Sequence, residues 1–539
     1  MTHTVPPLID HVRSLSRRGL LRGASASALL LALTPAASRQ VWANPVFASY
    51  PFRLGVASGD PYPDGVVIWT RVAPDPLNGG GVPNRAIPVT WEIAADERFT
   101  QGTQRGETLA RPELGHSVHV EVARLEPGRP YWYRFRVGGE ASPIGRTRTA
   151  PAADAMPTSV RFANVGCQRY EDGYFTAYQH LAREELDFVF HYGDYIYEYR
   201  GKNDGVPRLR EANGDEVYTI VDYRNRYALY KLEPELQAAH AAHPFLSSYD
   251  DHEVDNNWAA SISEEDGSET FPIAVPPEYF ILRKQMALNA WYENMPVRKA
   301  ALPRGPDITA YRRLRYGTLA QIHVLDTRQF RDDQPCGDGI KPACAEVANP
   351  QAQILGPEQE RWLFDGLARS DATWNVLAQQ VPVMYRDFAP DGANEPHLAL
   401  DKWDAYPAAR DRLFRHVEQA RIRGLTVLTG DVHQAWAGDL KADFRNPNSA
   451  TLGVEFISSS MATGGNGFEI NEVWQKRLAR NPHIKYFNSR RGYNVHEATR
   501  DRMTVQVRAV DTVTQRGAPA VTKASFTVEA GKPGVDNGA

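Results

Sequence analysis

The sequence predicts two structural units, a small all-β domain of immunoglobulin-like or fibronectin-like type and a larger α/β layered domain. Short segments of alternating polar and apolar residues, such as Ser117–Ala123, predict the first unit. From Thr158 onwards, strands alternate with segments of helical spacing, which predicts the second unit. Between them, Ala150–Pro157 consists of small residues and prolines, as interdomain linkers often do. We therefore place the β-sandwich at 44–150, the linker at 151–157, the α/β domain at 158–530 and a flexible tail at 531–539.

The first unit contains short segments with the composition of strands, spaced regularly and separated by turns. A Leu-Glu-Pro-Gly sequence at 125–128 supplies one of these turns. This spacing is typical of a β-sandwich. The predicted strands are Gly65–Arg71, Val89–Ala94, Ser117–Ala123 and Tyr131–Val137.

In the second unit, apolar strands are followed by helices that begin with proline or end near glycine. The segment Arg200–Ala242 is polar and irregular, and we predict a surface excursion there. The predicted strands are Val160–Val165, Asp187–Tyr192, Leu319–Leu325, Trp374–Ala378, Leu425–Thr429, Val454–Ser458, Arg502–Ala509 and Lys523–Glu529. The predicted helices are Phe175–Glu185, Glu278–Asn294, Pro357–Ser370 and Pro407–Gly424.

The N-terminus has the features of an export signal. A twin-arginine pattern at Ser16–Leu21 precedes a mildly apolar run, Ala24–Ala37, and a small-x-small cleavage site at Val41–Ala43. We predict a signal peptide at 1–43, read by the twin-arginine export machinery, and a mature protein in the periplasm or outside the cell. The alternative is a basic amphipathic helix of the mature protein. The apolar run is too short to span a bilayer, and we predict no transmembrane segment elsewhere.

Composition narrows the classes of partner. The 539 residues are 42% hydrophobic and 23% charged, which is ordinary for a globular protein. The net charge of −4 does not indicate binding to nucleic acid or to an anionic membrane. The oligomeric state stays open. Cys336 and Cys344 bracket a short loop and can pair in an oxidising compartment, which leaves Cys167 as an odd thiol that requires burial or a metal.

The segment Phe188–Tyr199, FVFHYGDYIYEY, begins as an apolar strand and breaks at Gly193. Asp194 follows at once, and Tyr197 comes three residues later. Ligands bind at the carboxyl ends of strands in open α/β sheets, so this carboxylate and phenol are candidate metal ligands. The alternative is a Gly-Asp turn followed by aromatic core residues.

Other predicted strands also end in a side chain that binds cations or anions. The residues are Cys167, Asp194, Asp326 and Asp431. An acidic run, Ser248–Asn257, precedes the aromatic Trp258, and buried carboxylates are unfavourable unless they are paired or bind a metal. Each aspartate alone has a turn or helix-cap explanation, and the run has the alternative of a solvated loop. Taken together, they predict a shared cation site.

The donor types indicate which ions would bind. Oxygen donors dominate, which favours Ca²⁺, Mg²⁺ or Mn²⁺ over an all-zinc site. A thiolate at Cys167 with a phenolate at Tyr197 suits Fe³⁺, and Asp194 can bridge the two kinds of ion. Adjacent ions of this kind suit phosphoryl chemistry. Arg328, just past a strand end, is the candidate for the remaining phosphate charge; the alternative is a surface pair with Asp332 or Asp333.

These motifs together resemble those of PhoD-type alkaline phosphatases and phosphodiesterases. The resemblance covers nearly the whole chain and rests on a set of short motifs in a fixed order. They are FRLGVASGDP at 52–61, VVIWTR at 66–71, NVGCQ at 164–168, GDYIYEY at 193–199, DDHEVDNN at 250–257, LDTRQFRDDQ at 325–334 and GDVHQAW at 430–436. The resemblance implies an immunoglobulin-like domain before a calcineurin-like metallophosphoesterase domain with an αββα sandwich, and an Fe³⁺ and Ca²⁺ site in an exported enzyme, with Mg²⁺ or Mn²⁺ as substitutes for Ca²⁺.

The same resemblance assigns roles to residues. It makes Asp194 a bridging ligand and Tyr197 an iron ligand, and Cys167 stands where the wider superfamily has an Asp-x-His. His252 is a candidate to protonate the leaving alcohol, with structural support of the site as the alternative. The implied metal ligands are Cys167, Asp194, Tyr197, Asp251, Asn257, Asp431 and His433, and the implied catalytic residues are Arg328, His252 and Asp194.

The first functional hypothesis is a secreted, metal-dependent phosphoesterase that hydrolyses phosphomonoesters, phosphodiesters or both. A metal-activated hydroxide attacks phosphorus without a covalent enzyme intermediate, and Arg328 orients the phosphate. The second is a diesterase specialised like phospholipase D. The third, from another class, is a secreted binding protein whose acidic clusters hold only structural Ca²⁺.

Overall fold

The computed structural model describes residues 45–201, 205–263 and 276–537. The predicted signal peptide at 1–43 lies outside these residues. Strands of the first part of the chain are β1 (Val56–Tyr62), β2 (Gly65–Arg71), β3 (Ile87–Ala94), β4 (Gln104–Ala110), β5 (Ser117–Ala123), β6 (Pro130–Val137), β7 (Glu140–Ala141) and β8 (Gly145–Arg148).

The remaining strands carry the candidate site and the core beneath it. They are β9 (Ser159–Val165), β10 (Phe188–His191), β11 (Pro244–Ser247), β12 (Arg312–Tyr316), β13 (Ala320–Val324), β14 (Ile340–Pro342), β15 (Trp374–Ala378), β16 (His397–Ala399), β17 (Leu425–Thr429), β18 (Ala435–Lys441), β19 (Thr451–Ile457), β20 (Ile484–Asn488), β21 (Gly492–Thr499), β22 (Arg502–Val510), β23 (Ala520–Glu529) and β24 (Lys532–Asn537). The helices are α1 (Thr176–Leu181), α2 (Ile220–Lys231), α3 (Pro234–Ala242), α4 (Pro277–Asn294), α5 (Gly356–Ala368), α6 (Pro407–Gln419) and α7 (Glu472–Arg480). Each predicted strand overlaps an observed one, and the mixed α/β class is confirmed.

Two large sheets dominate the described chain. One has the strand order β24-β23-β22-β21-β9-β10-β11-β1-β2-β5, and the other has the order β12-β13-β15-β17-β19-β18-β20. Strands β9, β10 and β11 are parallel neighbours in the first sheet, and β13, β15, β17 and β19 are parallel in the second. Parallel neighbours end at the same edge of a sheet, so the loops after these strands are brought together.

Alternate side chains of the central strands enter different cores, as the two-residue period of a strand requires. Phe188 and Phe190 of β10 join an apolar cluster that also contains Val376 and Leu428 of the second sheet, whereas Val189 points away from it. The opposite face of the first sheet packs against α1 to α4. The opposite face of the second sheet packs against α5, α6 and α7. Apolar side chains on both faces therefore bury these strands completely.

The β-rich N-terminal segment also packs as two facing sheets. Val66 and Ile68 of β2 share an apolar cluster with Val89 of β3 and Tyr133 of β6. However, β1 pairs in parallel with β11, so β1, β2 and β5 continue the sheet that carries the candidate site. The predicted linker at 151–157 separates β1, β2 and β5 from β9, β10 and β11 in the sequence. In the structure, backbone hydrogen bonds join all six strands in one sheet.

The prediction of an irregular excursion at Arg200–Ala242 is wrong in its second half, where α2 and α3 form. Tyr223, Tyr227 and Tyr230 of α2 are buried in the core against the first sheet. Tyrosine, arginine and asparagine make up much of α2, so a hydropathy pattern does not reveal its buried face. Thr219 begins the helix with a capping box that pairs its hydroxyl with the backbone N–H of Asp222.

Two helices are shorter than predicted, and the chain end is more ordered. Helix α1 ends at Leu181, and α6 ends at Gln419 because Arg421 adopts a left-handed backbone conformation with φ of 53°. Residues 532–537 form β24, so the prediction of a flexible tail is wrong for them; the edge of β23 was available for pairing. Within the described ranges, the helices include none that is long and apolar enough to cross a membrane.

Candidate metal centre

Loops from both sheets meet at the carboxyl ends of four strands, three from the first sheet and one from the second. Cys167 follows β9, Asp194 follows β10, Asp251 follows β11 and Asp431 follows β17. A hydrogen bond of 2.9 Å from Nδ2 of Asn164 to the carbonyl oxygen of Thr429 joins the end of β9 to the end of β17. Parallel pairing within each sheet and hydrogen bonds between the sheets, such as this one, therefore bring these strand ends together as the sequence predicts.

Tight backbone turns aim the side chains at a common point. Gly193 has φ of 134°, and a Cβ atom there would lie 2.3 Å from the backbone nitrogen of Asp250, so only glycine allows the two loops to approach. Left-handed conformations at residues other than glycine are uncommon and concentrate at functional sites. Five predicted ligands adopt them: Cys167, Asp194, Asn257, Asp431 and His433.

The first cluster combines sulfur, phenol and imidazole around one carboxylate. Cys167 Sγ lies 3.1 Å from Asp194 Oδ2, and the Tyr197 hydroxyl donates to the same oxygen at 2.9 Å. His433 Nε2 lies 3.2 Å from the Tyr197 oxygen. Ligand atoms of Cys167, Asp194 and His433 all lie within 4.8 Å of one another. Four of the predicted ligands thus share one volume of metal-site size.

A second cluster consists of carboxylates. Ligand oxygens of Asp250, Asp251 and Asp431 lie within 4.8 Å of one another, and Asp251 is also within that distance of Asp194. Buried polar atoms normally have a hydrogen-bond partner. Among the described residues, however, Asp194 Oδ1, Asp250 Oδ2 and Asp251 Oδ1 are buried without one. These oxygens, together with the thiol and phenol, form a donor set that fits bound cations.

The pKa values of two site residues in the metal-free protein also favour a bound cation. Burial, followed by the charges of Asp194 and Asp431, raises the pKa of the Cys167 thiol well above its usual range. Burial also raises the pKa of Asp194, and Asp251 and Asp250 raise it further. A cation at this position would stabilise the ionised forms of both groups.

Arg328 is fully buried among carboxylates. Its Nε donates to Asp250 at 2.6 Å and its Nη1 donates to Asp401 at 2.8 Å, while Nη2 lies 3.5 Å from Asp431. Asp332 and Asp333 are exposed, so the surface pair considered for Arg328 is wrong. In this arrangement Arg328 balances the charge of the acidic cluster and holds the loop after β11 in place.

Asp326 is a strand-end carboxylate that the fold uses differently from the sequence prediction. Its Oδ1 accepts hydrogen bonds of 3.0 Å from the backbone N–H groups of Arg328 and Gln329, and its other oxygen is bonded by Tyr249. Asp326 therefore stabilises the turn that carries Arg328, and the expectation that it belongs to the shared cation site is wrong. A role in a turn is the alternative that the sequence analysis gives for each of these aspartates.

His252 is held at the edge of the first cluster. Its Nδ1 lies 2.8 Å from Oε2 of Glu198, and its ring centre lies 4.1 Å from that of Tyr197. Burial disfavours the charged ring, but Glu198 and Asp251 raise the pKa of His252 well above its ordinary value. Asn257 donates from its backbone to Asp251 at 2.9 Å and from Nδ2 to Asp338 at 2.7 Å.

Sequence reasoning missed several residues of the site. Lys402 Nζ lies 2.6 Å from Asp431 and 2.7 Å from Asp401, and no motif around residues 401–402 indicates this. Glu198 lies in the motif GDYIYEY and Asp250 in the motif DDHEVDNN. Their carboxylates are evident in the sequence, but no role was predicted for them. Glu253 accepts hydrogen bonds from the backbone N–H groups of Asp194, Tyr195 and Asp250, which fixes two loops against each other.

Comparisons with known proteins identify the family and agree with the fold. The sequence profile of the PhoD-like phosphatase family matches residues 162–507, and that of the PhoD-like phosphatase N-terminal domain matches residues 36–151. Alkaline phosphatase D of Bacillus subtilis (strain 168) is 46% identical over 529 residues, which is 97% of this chain and 89% of that protein. A solved structure of PhoD superposes with a TM-score of 0.88 at 46% identity, covering 92% of this chain and 93% of that one.

Proposed function

This chain belongs to the PhoD-like phosphatase family and is a phosphoric ester hydrolase, and we propose that it is an exported enzyme whose activity depends on bound metal ions. Its substrates are phosphomonoesters, phosphodiesters or both. We interpret the two facing sheets with helices on their outer sides as the αββα sandwich of metallophosphoesterases. Family membership argues against the alternative of a Ca²⁺-stabilised binding protein.

One observation carries the proposal of two kinds of ion. A thiol, a phenol and an imidazole lie close to Asp194, whereas the neighbouring group of mutually close ligand atoms, from Asp250, Asp251 and Asp431, consists of carboxylates. Cys167, Asp194, Tyr197 and His433 would hold Fe³⁺, because anionic sulfur and phenolate ligands stabilise a trivalent ion. Asp250, Asp251 and Asp431 would hold Ca²⁺, or Mg²⁺ or Mn²⁺ in its place.

When bound, such ions neutralise phosphate oxygens and lower the pKa of water near phosphorus. The protein itself positions the groups around that chemistry. Arg328 and Lys402 offset the charge of the surrounding carboxylates, so the site does not depend on metal alone for its fold. His252 donates Nδ1–H to Glu198, which leaves Nε2 as the nitrogen that can protonate the leaving alcohol.

Two features support export. The twin-arginine pattern at Ser16–Leu21 precedes the family match, and Cys336 and Cys344 form a disulfide with a Cα–Cα distance of 5.9 Å. Disulfides persist in oxidising compartments, as expected for a mature protein in the periplasm or outside the cell. Replacing both Arg17 and Arg18 with lysine should keep the protein in the cytoplasm when cell fractions are compared. Unchanged export of that variant would contradict the proposal.

The function is tested by measuring metal content beside activity. We expect about one iron per chain in the purified protein, and hydrolysis of p-nitrophenyl phosphate or bis(p-nitrophenyl) phosphate that Ca²⁺ stimulates. Cys167→Ser should lose iron, and Asp194→Asn should lose both iron and hydrolysis. Asp391→Asn, at an exposed carboxylate, is the matched control and should keep both. Full activity without any transition metal, or turnover by Asp194→Asn, would overturn the proposed site.

A further inference from the structure

Arg169 is a buried arginine beside the first cluster of the metal centre. It follows Cys167 by two positions in the loop after β9, and only 6% of the residue is exposed. In contrast to Arg328, which pairs with two aspartates, Arg169 forms no ion pair with a carboxylate of the described chain. Its Nη2 donates a hydrogen bond of 2.9 Å to the Tyr199 hydroxyl, and its Nε is buried without a partner among the described residues. Buried charges are normally paired, so this guanidinium requires a counter-charge that these carboxylates do not supply.

The guanidinium of Arg169 lies against two tyrosine rings instead. It is 4.3 Å from the centre of the Tyr197 ring and 5.0 Å from that of the Tyr199 ring. Both distances are within the range of cation–π interactions. A guanidinium is planar and weakly hydrated, so it stacks on a ring in a way that a lysine ammonium cannot. Tyr197 is a proposed iron ligand, and as a phenolate it places a negative charge directly against the buried cation.

Thr463 connects the backbone of Arg169 to the phenol of Tyr197. Its hydroxyl accepts a hydrogen bond of 2.8 Å from the backbone N–H of Arg169 and donates one of 3.0 Å to the Tyr197 oxygen. The same phenol oxygen lies 2.9 Å from Asp194 and 3.2 Å from His433. Hydrogen bonds therefore hold the ring at its oxygen, and they hold Arg169 both at its main chain and at Nη2. The stacked arrangement is part of the fold rather than one position of a mobile side chain.

Resting on the proposed function, we propose that Arg169 is a positioning residue that supplies the counter-charge of the Tyr197 phenolate and sets how strongly this ligand donates electrons to Fe³⁺. A cation over an aromatic ring attracts the π electrons of that ring. The stacked guanidinium therefore weakens donation from the phenolate to the metal. Charges and hydrogen bonds around a ligand tune a metal site in this way, and a nearby cation makes the bound iron easier to reduce. Arg328 and Lys402 serve the carboxylates, and Arg169 serves the phenolate.

The test uses the visible absorption of the purified, iron-containing protein. A phenolate bound to Fe³⁺ absorbs visible light because an electron moves from the ring to the metal, and resonance Raman enhancement of the ring vibrations assigns that band to the phenolate. Arg169→Met removes the cation and so raises the energy of the phenolate electrons. We expect the band to move to longer wavelength and the midpoint potential in a reductive titration to become more negative. Neither readout depends on hydrolysis.

Further variants separate charge from structure. Arg169→Gln is a second neutral variant and should shift both readouts in the same direction, while Arg169→Lys keeps the charge and should stay closer to the wild type than either. Arg298→Met is the matched control. The guanidinium of Arg298 lies 3.7 Å from the centre of the Tyr62 ring, and its side chain is 16% exposed, but neither residue belongs to the metal centre. This control should keep the wild-type band and potential.

The outcomes distinguish this inference from the function on which it rests. A wild-type band and potential in a neutral variant that retains iron overturns the inference, and so does an equal shift in Arg169→Lys or in Arg298→Met. Loss of iron from a neutral variant whose circular dichroism is that of the wild type also overturns it, because Arg169 then builds the site rather than tunes it. If Arg169→Met does not fold, Arg169→Gln decides by the same criteria. A wild-type protein without iron, or without phenolate vibrations, instead overturns the proposed iron site.

Discussion

The carboxylate of Glu198 accepts a hydrogen bond of 2.8 Å from Nδ1 of His252. Glu198 is one residue beyond Tyr197, so a single turn after β10 supplies both a candidate metal ligand and the partner of the imidazole. Burial disfavours the charged form of Glu198, but His252 lowers the pKa of Glu198 below its ordinary value. Its other oxygen accepts from the backbone N–H of Asn256 at 2.7 Å, which fixes the carboxylate in place.

Glu198→Gln should lower kcat about 10- to 100-fold, because partners that orient groups at a metal site have effects of this size. The loss should be larger for phenyl phosphate than for p-nitrophenyl phosphate, since a poorer leaving group depends more on protonation. Iron content should not change. Glu211→Gln, at an exposed ion pair, is the control. An equal loss with both leaving groups would assign Glu198 a purely structural role.

Arg328→Met should lower the free energy of unfolding of the metal-free protein by about 3–5 kcal/mol, measured by urea denaturation, because it leaves buried carboxylates without their cation. Asp250 and Asp401 are the residues most affected, since Arg328 is within 2.6 Å of the first and 2.8 Å of the second. Added Ca²⁺ should recover part of the loss by binding the folded state. Arg304→Met, at an exposed position, should have little effect. A variant as stable as the wild type would show that this pairing does not stabilise the fold.

Cys336→Ser combined with Cys344→Ser should lower the free energy of unfolding by about 2–3 kcal/mol, the value for closing a loop of this length. The disulfide closes a loop with a sequence separation of 8 that contains Asp338, the acceptor for Asn257 Nδ2. We therefore also expect a higher KM with a smaller change in kcat. Thiol titration of the unfolded wild type should detect one free cysteine, Cys167. Detection of three would mean that the bond does not form in the mature protein.

Lys231→Met should change how stability depends on pH. Burial lowers the pKa of Lys231 from 10.5 to about 7, and its nitrogen lies 4.2 Å from the centre of the Trp69 ring. Between pH 7 and 10.5 the unfolded chain binds a proton that the folded protein does not, so this group makes stability rise with pH. The full difference corresponds to up to about 5 kcal/mol.

The variant should therefore be more stable than the wild type at pH 7, and the gap should shrink towards pH 10. Guanidinium denaturation at three pH values measures this. Lys532→Met removes an exposed lysine and should leave the pH profile of the wild type unchanged. Parallel profiles of Lys231→Met and the wild type would contradict the lowered pKa.

Local sequence signals predicted much of the fold and those residues of the site that lie at strand ends. The strands and their polar ends, including Asp194 after β10, depend on apolar runs and on a glycine that permits the turn. Segments whose burial depends on large polar side chains were harder, which is why α2, with its buried tyrosines, was predicted to be irregular. The strand β24 was missed because its pairing partner β23, not its own composition, determines it.

The sequence by itself determined the fold class, the strand ends that carry ligands and the kinds of donor atom present. Only the tertiary structure decided which of these groups meet. Asp326 stabilises a turn, whereas Lys402 and Asp401 contact the acidic cluster around Arg328. The physical reason is that backbone turns depend on adjacent residues. The pairing of buried charges instead depends on which side chains become close when the two sheets pack and exclude water.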